Sequence, residues 1–166
     1  MKGHSMHRIA RFEKVSEAQL KADSAHMTGD PVPVDLPVRA TAGSAGYDIR
    51  TPWTIRLEPG ESLRIPTGLR CRIASGWVLL LMPKSGLGFK YRLQLDNTVG
   101  VIDEDYYGAD NEGHIQIQIT NDSRSGRMLE IPAGKAFAQG IFVPYGITED
   151  DGADALRTGG FGSTNA

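Results

Sequence analysis

Residues 114–120 read His114-Ile115-Gln116-Ile117-Gln118-Ile119-Thr120, with isoleucine at every second position and glutamine between. Successive side chains of a strand point to opposite faces, so this spacing puts Ile115, Ile117 and Ile119 on one apolar face. The same period recurs in Trp53-Thr54-Ile55-Arg56-Leu57 and at Leu69, Cys71 and Ile73. Turn signals separate these runs: Glu58-Pro59-Gly60, Ser75-Gly76, Asn121-Asp122-Ser123 and Pro132-Ala133-Gly134. Many short strands joined by Pro/Gly turns predict an all-β sandwich or jelly-roll-like fold.

The two ends of the chain read differently. Residues 1–30 are polar, and Ser16-Glu17-Ala18-Gln19 fits a capping box opening one short helix, which Asp30-Pro31 prevents from continuing. Residues 148–166 form an acidic segment followed by a Gly-rich tail with too few apolar side chains to pack alone, so 157–165 are expected to be mobile without a ligand. The expected organisation is therefore an N-terminal arm (1–30), a β core (31–147) and a flexible C-terminal tail (148–166).

Composition narrows the class. A chain of 166 residues is one domain large enough for a real core, and a formal charge of -2 gives no footprint for stable nucleic-acid binding. Cys71 is the only cysteine, which excludes an intrachain disulfide and suits a reducing compartment. The most apolar stretch, Trp77 to Met82, is too short to span a bilayer, and Met-Lys-Gly-His-Ser-Met-His-Arg at the start has no apolar signal core. The expectation is a soluble, cytoplasmic protein with no membrane partner. His4, His7, His26 and His114 lack the close spacing of a zinc site.

The chemistry is expected between Asn97 and Tyr107, which read Asn-Thr-Val-Gly-Val-Ile-Asp-Glu-Asp-Tyr-Tyr. Asp103 follows Val99, Val101 and Ile102, so its carboxylate is placed for partial desolvation and a proton affinity tuned to take a proton from water. By itself the segment favours the plainer reading, a strand-end Asp capping a turn.

Four other segments, with this one, resemble the five motifs of the trimeric dUTPase family in the family's order. They are Ala45-Gly46-Tyr47-Asp48-Ile49, Pro83-Lys84-Ser85-Gly86-Leu87-Gly88, the Asn97–Tyr107 run, Gly134-Lys135-Ala136-Phe137-Ala138-Gln139 and Gly159-Gly160-Phe161-Gly162-Ser163-Thr164. The resemblance covers Leu36 to the C-terminus. It implies a jelly-roll-like homotrimer whose tail is exchanged over neighbouring sites, and Mg2+-assisted hydrolysis of dUTP to dUMP and pyrophosphate by water attack on the α-phosphorus.

By the same resemblance, Asp103 is the general base, and Asn97 with the backbone of Gly100, Val101 and Ile102 reads the uracil edge. Tyr106 lies under the deoxyribose and leaves no room for a 2′-hydroxyl. Lys84, Ser85, Gly86, Gln139 and Arg157 serve the phosphates, with Gly162, Ser163 and Thr164 wrapping them and Phe161 stacking on the base. Asp48 touches the metal only through water, or organises the neighbouring loops.

Three departures from the family pattern stand out. Lys84 replaces the usual Arg, turning a bidentate clamp into a point charge. Gly108-Ala109-Asp110-Asn111 lengthens the turn before Glu112-Gly113-His114, leaving open whether Tyr106 or Tyr107 faces the sugar. Only Thr158 separates Arg157 from the paired glycines. No Gly-Lys pair carries the offsets of a phosphate-binding P-loop. The competing readings are a dCTP deaminase of the same fold and a dUTP-gated regulatory binding protein with its own protein partner.

Overall fold

The computed structural model of the chain describes residues 6–157 and Gly159. The C-terminal expectations, Phe161, Gly162, Ser163, Thr164 and the mobility of 157–165, therefore fall outside the described residues except at Arg157 and Gly159. The chain is all-β and jelly-roll-like, with antiparallel pairing throughout.

The isoleucine run forms β10 (Gln116–Asn121), the middle of a three-stranded sheet between β5 (Ser62–Pro66) and β8 (Leu93–Leu95). Ile115, Ile117 and Ile119 are buried, as period two requires, and register places Ile117 opposite Ile65 and Ile119 opposite Leu95. The second layer is a five-stranded sheet in the order β2 (Val38–Arg39), β3 (Tyr47–Arg50), β12 (Ala136–Pro144), β7 (Trp77–Pro83) and β9 (Gly100–Ile102). Ile49, Leu79, Leu81, Ile102 and Phe137 from this sheet join the isoleucines in one core. Each fully buried Leu, Ile or Phe contributes roughly 1.5–3 kcal/mol, so this core dominates stability.

One departure from strict alternation lies in β12. Phe137 and Ala138 are adjacent yet both buried, because a bulge between Ala136 and Ala138 inserts one residue opposite β3. The bulge resets the register so that Gln139 lies opposite Asp48.

The N-terminal arm is built into the fold. β1 (Ala10–Lys14) pairs with β6 (Leu69–Ile73), setting Phe12 opposite Cys71. Phe12 also meets Tyr47 and Phe142 at ring-centroid distances of 5.5 and 5.8 Å. The predicted helix is α1 (Glu17–Asp23), capped by Ser16, whose hydroxyl accepts from the Gln19 amide at 3.1 Å. A short pair, β4 (Ile55–Leu57) with β11 (Leu129–Ile131), closes another side, and α2 (Ser85–Tyr91) follows β7. Burial pushes the Cys71 thiol up to about 12, which leaves it an inert core group. Among the described residues no helix is long and apolar enough to cross a membrane.

Candidate active site

β9 is an edge strand of the five-stranded sheet, paired among the described residues only with β7. An edge strand keeps one row of backbone N–H and C=O groups unpaired, and such a row can hydrogen-bond a flat polar ligand. A cleft of about 350 Å³ opens beside it, lined by Asn97, Gly100 and Ile102 with Leu81, Leu95 and Gln118. This is within the size range of small-molecule sites. Val101 points the other way and is 53% exposed, as alternation demands. Gly100 has a second reason to be glycine: an added Cβ would stand 3.0 Å from Leu81 Cβ, so the neighbouring strand would have to give way to a side chain. The turn into β9 is strained, with Thr98 at φ 68°, a rare conformation for a β-branched residue.

Asp103 ends β9 and begins a 3₁₀ turn, Glu104–Gly108. Its side chain is 47% exposed, and Oδ2 accepts from Arg157 Nη2 at 3.0 Å. Arg157 Nε lies 3.3 Å from Asp105 Oδ1, and its guanidinium carbon stands 5.5 Å from the centre of the Tyr106 ring. The described end of the tail therefore packs on the Asp103 region of its own chain. Asp103 and Asp105 are half-exposed, so solvent screening holds each pair to roughly 0–1 kcal/mol.

The two tyrosines part company. Tyr106 is buried, its hydroxyl donating to the His114 carbonyl at 2.8 Å and accepting from Asn111 Nδ2 at 2.9 Å. Desolvation raises its phenol pKa, holding it neutral and able to donate. Tyr107 turns to the arm, donating to Glu13 Oε2 at 2.7 Å beneath the Arg70 guanidinium, 3.7 Å from the ring centre.

A second cluster forms across β3, β12 and β7. Lys84 Nζ is hydrogen-bonded to Asp48 Oδ1 in a partly buried ion pair. Gln139, opposite both Asp48 and Met82, donates to the Pro83 carbonyl at 3.4 Å. Gly46 makes room for this amide, since an added Cβ there would stand 2.8 Å from Gln139 Oε1. Ser85 and Gly86 follow at the exposed start of α2.

The clusters are separate within one chain. Pairing Leu79 with Ile102 and Leu81 with Gly100 sets Asp103 level with Val78, six residues from Lys84 along β7. At about 3.3 Å per residue that is roughly 20 Å. A general base must lie within ~2.6–3.2 Å of the proton it takes.

Residues missed as functional candidates surround Tyr106. His114, set aside for lacking metal spacing, is fully buried: Nε2 accepts from the Gly68 amide at 2.9 Å and Nδ1 lies 2.5 Å from Asp23 Oδ2. An amide can only donate, so the ring proton resides on Nδ1. Burial lowers the His114 pKa and keeps the ring neutral despite the carboxylate. The available signal was the lengthened loop itself, Asn111-Glu112-Gly113-His114.

Among the described residues no group of three or more His, Cys, Asp or Glu side chains could hold a metal ion. The donor set fits Mg2+ carried by phosphate oxygens and water, which is this ion's usual preference. Among the described residues no hydrogen bond reaches Asp48 Oδ2.

An edge strand beside a cleft, a carboxylate at its end and a cation–amide cluster elsewhere are the features of a nucleotide hydrolase. The chain belongs to the dUTPase family: the family model described as dUTPase matches residues 33–165. It is 42% identical over 136 residues to the deoxyuridine 5'-triphosphate nucleotidohydrolase of Lactococcus lactis, covering 80% of this chain and 89% of the relative. The corresponding protein of Bordetella avium is 36% identical over 137 residues, covering 78% of this chain and 87% of its own. The crystal structure of dUTPase from Streptococcus mutans is similar with a TM-score of 0.65 and 32% identity, covering 83% of this chain and 98% of that one. A mutant dUTPase of phage phi11 of S. aureus, whose structure describes coordination of a structural Mg(II) ion, shares the fold at 24% identity and a TM-score of 0.65, covering 89% and 98% of the two chains.

Proposed function

We propose that the protein hydrolyses dUTP to dUMP and pyrophosphate, with Asp103 as the general base. The observation that carries this reading is the placement of the Asp103 carboxylate directly after the open edge of β9 and one short turn before Tyr106. Asn97 and the backbone of Gly100, Val101 and Ile102 hold the uracil edge in the adjoining cleft. Cytosine would leave those fixed groups unpaired, which supports a dUTPase over a dCTP deaminase. Tyr106, not Tyr107, lies under the deoxyribose: its ring faces the Arg157 guanidinium that pairs with Asp103, whereas Tyr107 turns away to Glu13 and Arg70.

The water oxygen attacks the α-phosphorus, the bond to the leaving pyrophosphate oxygen breaks, and Asp103 takes the water proton. Arg157 covers Asp103 Oδ2 in the chain without nucleotide and must move to a phosphate for the carboxylate to work. Phe161, Gly162, Ser163 and Thr164 would follow it over the ligand. Bound Mg2+ would neutralise phosphate charge, with Asp48 reaching it through water.

The roughly 20 Å along β7 between Asp103 and Lys84 supports a homotrimer, with Lys84, Ser85, Gly86 and Gln139 supplied by a neighbouring chain. The single buried cysteine is in keeping with cytoplasmic residence.

The decisive test is product analysis with magnesium and each deoxynucleoside triphosphate in turn. dUMP and pyrophosphate should appear from dUTP alone. Ammonia from dCTP, or orthophosphate from dUTP, contradicts the reading.

A further inference from the structure

We infer that the N-terminal arm is the positioning element for Tyr106, so that residues 13–23 set the preference for a deoxyribose over a ribose. The inference rests on the proposal that Tyr106 lies under the sugar. It goes beyond that proposal in assigning the ring's placement to a segment far away in sequence.

The tie begins at the phenol. Tyr106 Oη donates to the His114 carbonyl at 2.8 Å and accepts from Asn111 Nδ2 at 2.9 Å, so the loop 111–114 fixes where the ring sits. That loop cannot hold its shape by local preference alone. Glu112 and Gly113 both adopt positive φ, 59° and 67°, and a Cβ at 113 would stand 2.6 Å from the Tyr106 carbonyl oxygen. A left-handed non-glycine residue persists only when surrounding structure over-determines it.

The arm supplies that structure. Ser16 gives Glu112 two hydrogen bonds, from its amide to Oε2 at 2.8 Å and from its hydroxyl to Oε1 at 2.6 Å. Those bonds also hold the Glu112 carboxyl below its ordinary range, in its charged, accepting form. Asp23, at the other end of α1, accepts the Nδ1 proton of buried His114 and is itself steadied by Gln19 Nε2 at 2.8 Å. Glu13 in β1 takes the Tyr107 hydroxyl at 2.7 Å. Three arm residues thus grip positions 107, 112 and 114, on the C-terminal side of the ring they orient. The N-terminal side is already held by β9. A rigid ring admits no 2′-hydroxyl, whereas a ring free to tilt makes room for one.

Asp23→Ala and Glu112→Asn test this. Asparagine tolerates positive φ but is too short to reach Ser16 as Glu does. Both variants, Tyr106→Leu and a core control in β11, Ile131→Val, are assayed for kcat and KM on dUTP and UTP, with hydrogen exchange followed at 104–114. Asp23→Ala and Glu112→Asn, one on each side of the contact between arm and loop, should lower the dUTP-over-UTP ratio of kcat/KM roughly 10-fold, the low end of what one pocket contact is worth in discrimination. Exchange at 104–114 should quicken, while Ile131→Val leaves both readouts unchanged. If Tyr106→Leu lowers the ratio but neither Asp23→Ala nor Glu112→Asn does, or if exchange at 104–114 stays as in the wild type, the arm is merely structural and the inference falls. A ratio unchanged in Tyr106→Leu itself overturns the sugar reading and the inference with it.

Discussion

The two ends of β7 carry different chemistry. Beside its first half lies β9, where an open backbone edge, a strained turn at Thr98 and a half-exposed Asp103 gather around a buried phenol. Beyond its last residue the sheet offers side chains instead: Lys84 held by Asp48, with Gln139 opposite. On the proposed function, the first end reads the base and takes the proton, and the second meets the phosphates. Neither has both, and on the proposed reading unlike ends are brought together by assembly.

The largest contrast should come from Asp103→Asn, which keeps shape and removes the base. Turnover of dUTP should fall ~10²–10⁴-fold while calorimetry shows little change in binding of a non-hydrolysable analogue. Near-normal turnover would move the base elsewhere, with Asp48 the next candidate. At the other end, Lys84→Ala removes a charged phosphate partner worth roughly 1.5–3 kcal/mol, which is about a 10- to 100-fold rise in KM. Lys84→Arg should keep KM near wild type, and an equal loss in both variants would show that Lys84 serves only to pair Asp48.

A smaller effect is expected with pH. His114 has a lowered pKa in the folded chain, so the unfolded chain binds its proton first and stability should decline as pH falls below about 6.5. Glu112, also lowered, adds stability that is present above about 4.5 and lost at more acid pH. Thermal melts from pH 8 to 4 should show the first decline shrinking in His114→Gln; an unaltered profile would assign it to other groups. The smallest effect belongs to Arg157→Ala. Its pairs with Asp103 and Asp105 are screened, so unfolding free energy without nucleotide should change by no more than about 2 kcal/mol, about 1 for each pair. A larger loss in a denaturant titration would make the tail a structural strap.

Much of the fold was legible because it is local. Ile115, Ile117 and Ile119 declared their buried face by period alone, and Ser16 with Gln19 declared a helix start. The bulge at Phe137 escaped notice, since one inserted residue is visible only against a paired strand. Likewise, Gly100 looked like a concession to a ligand until Leu81 was found beneath it. At the site, linear motifs named Asp103, Lys84 and Gln139, but no motif carries the register that parts them. The contacts of Asp23 with His114 and of Ser16 with Glu112 span 91 and 96 positions, beyond the reach of any local pattern.

The central claim, that Asp103 and Lys84 complete one site only across chains, is tested most directly by mixing. Asp103→Asn chains, nearly inactive at any substrate level, and Lys84→Ala chains, nearly inactive at dUTP far below their raised KM, are unfolded together, refolded and assayed at that low dUTP concentration. If sites are shared, hybrid assemblies pair an intact Asp103 from one chain with an intact Lys84 from another, and activity rises well above that of either parent. If each chain houses its own site, every chain still carries one defect, and a mixture no more active than its parents contradicts the account.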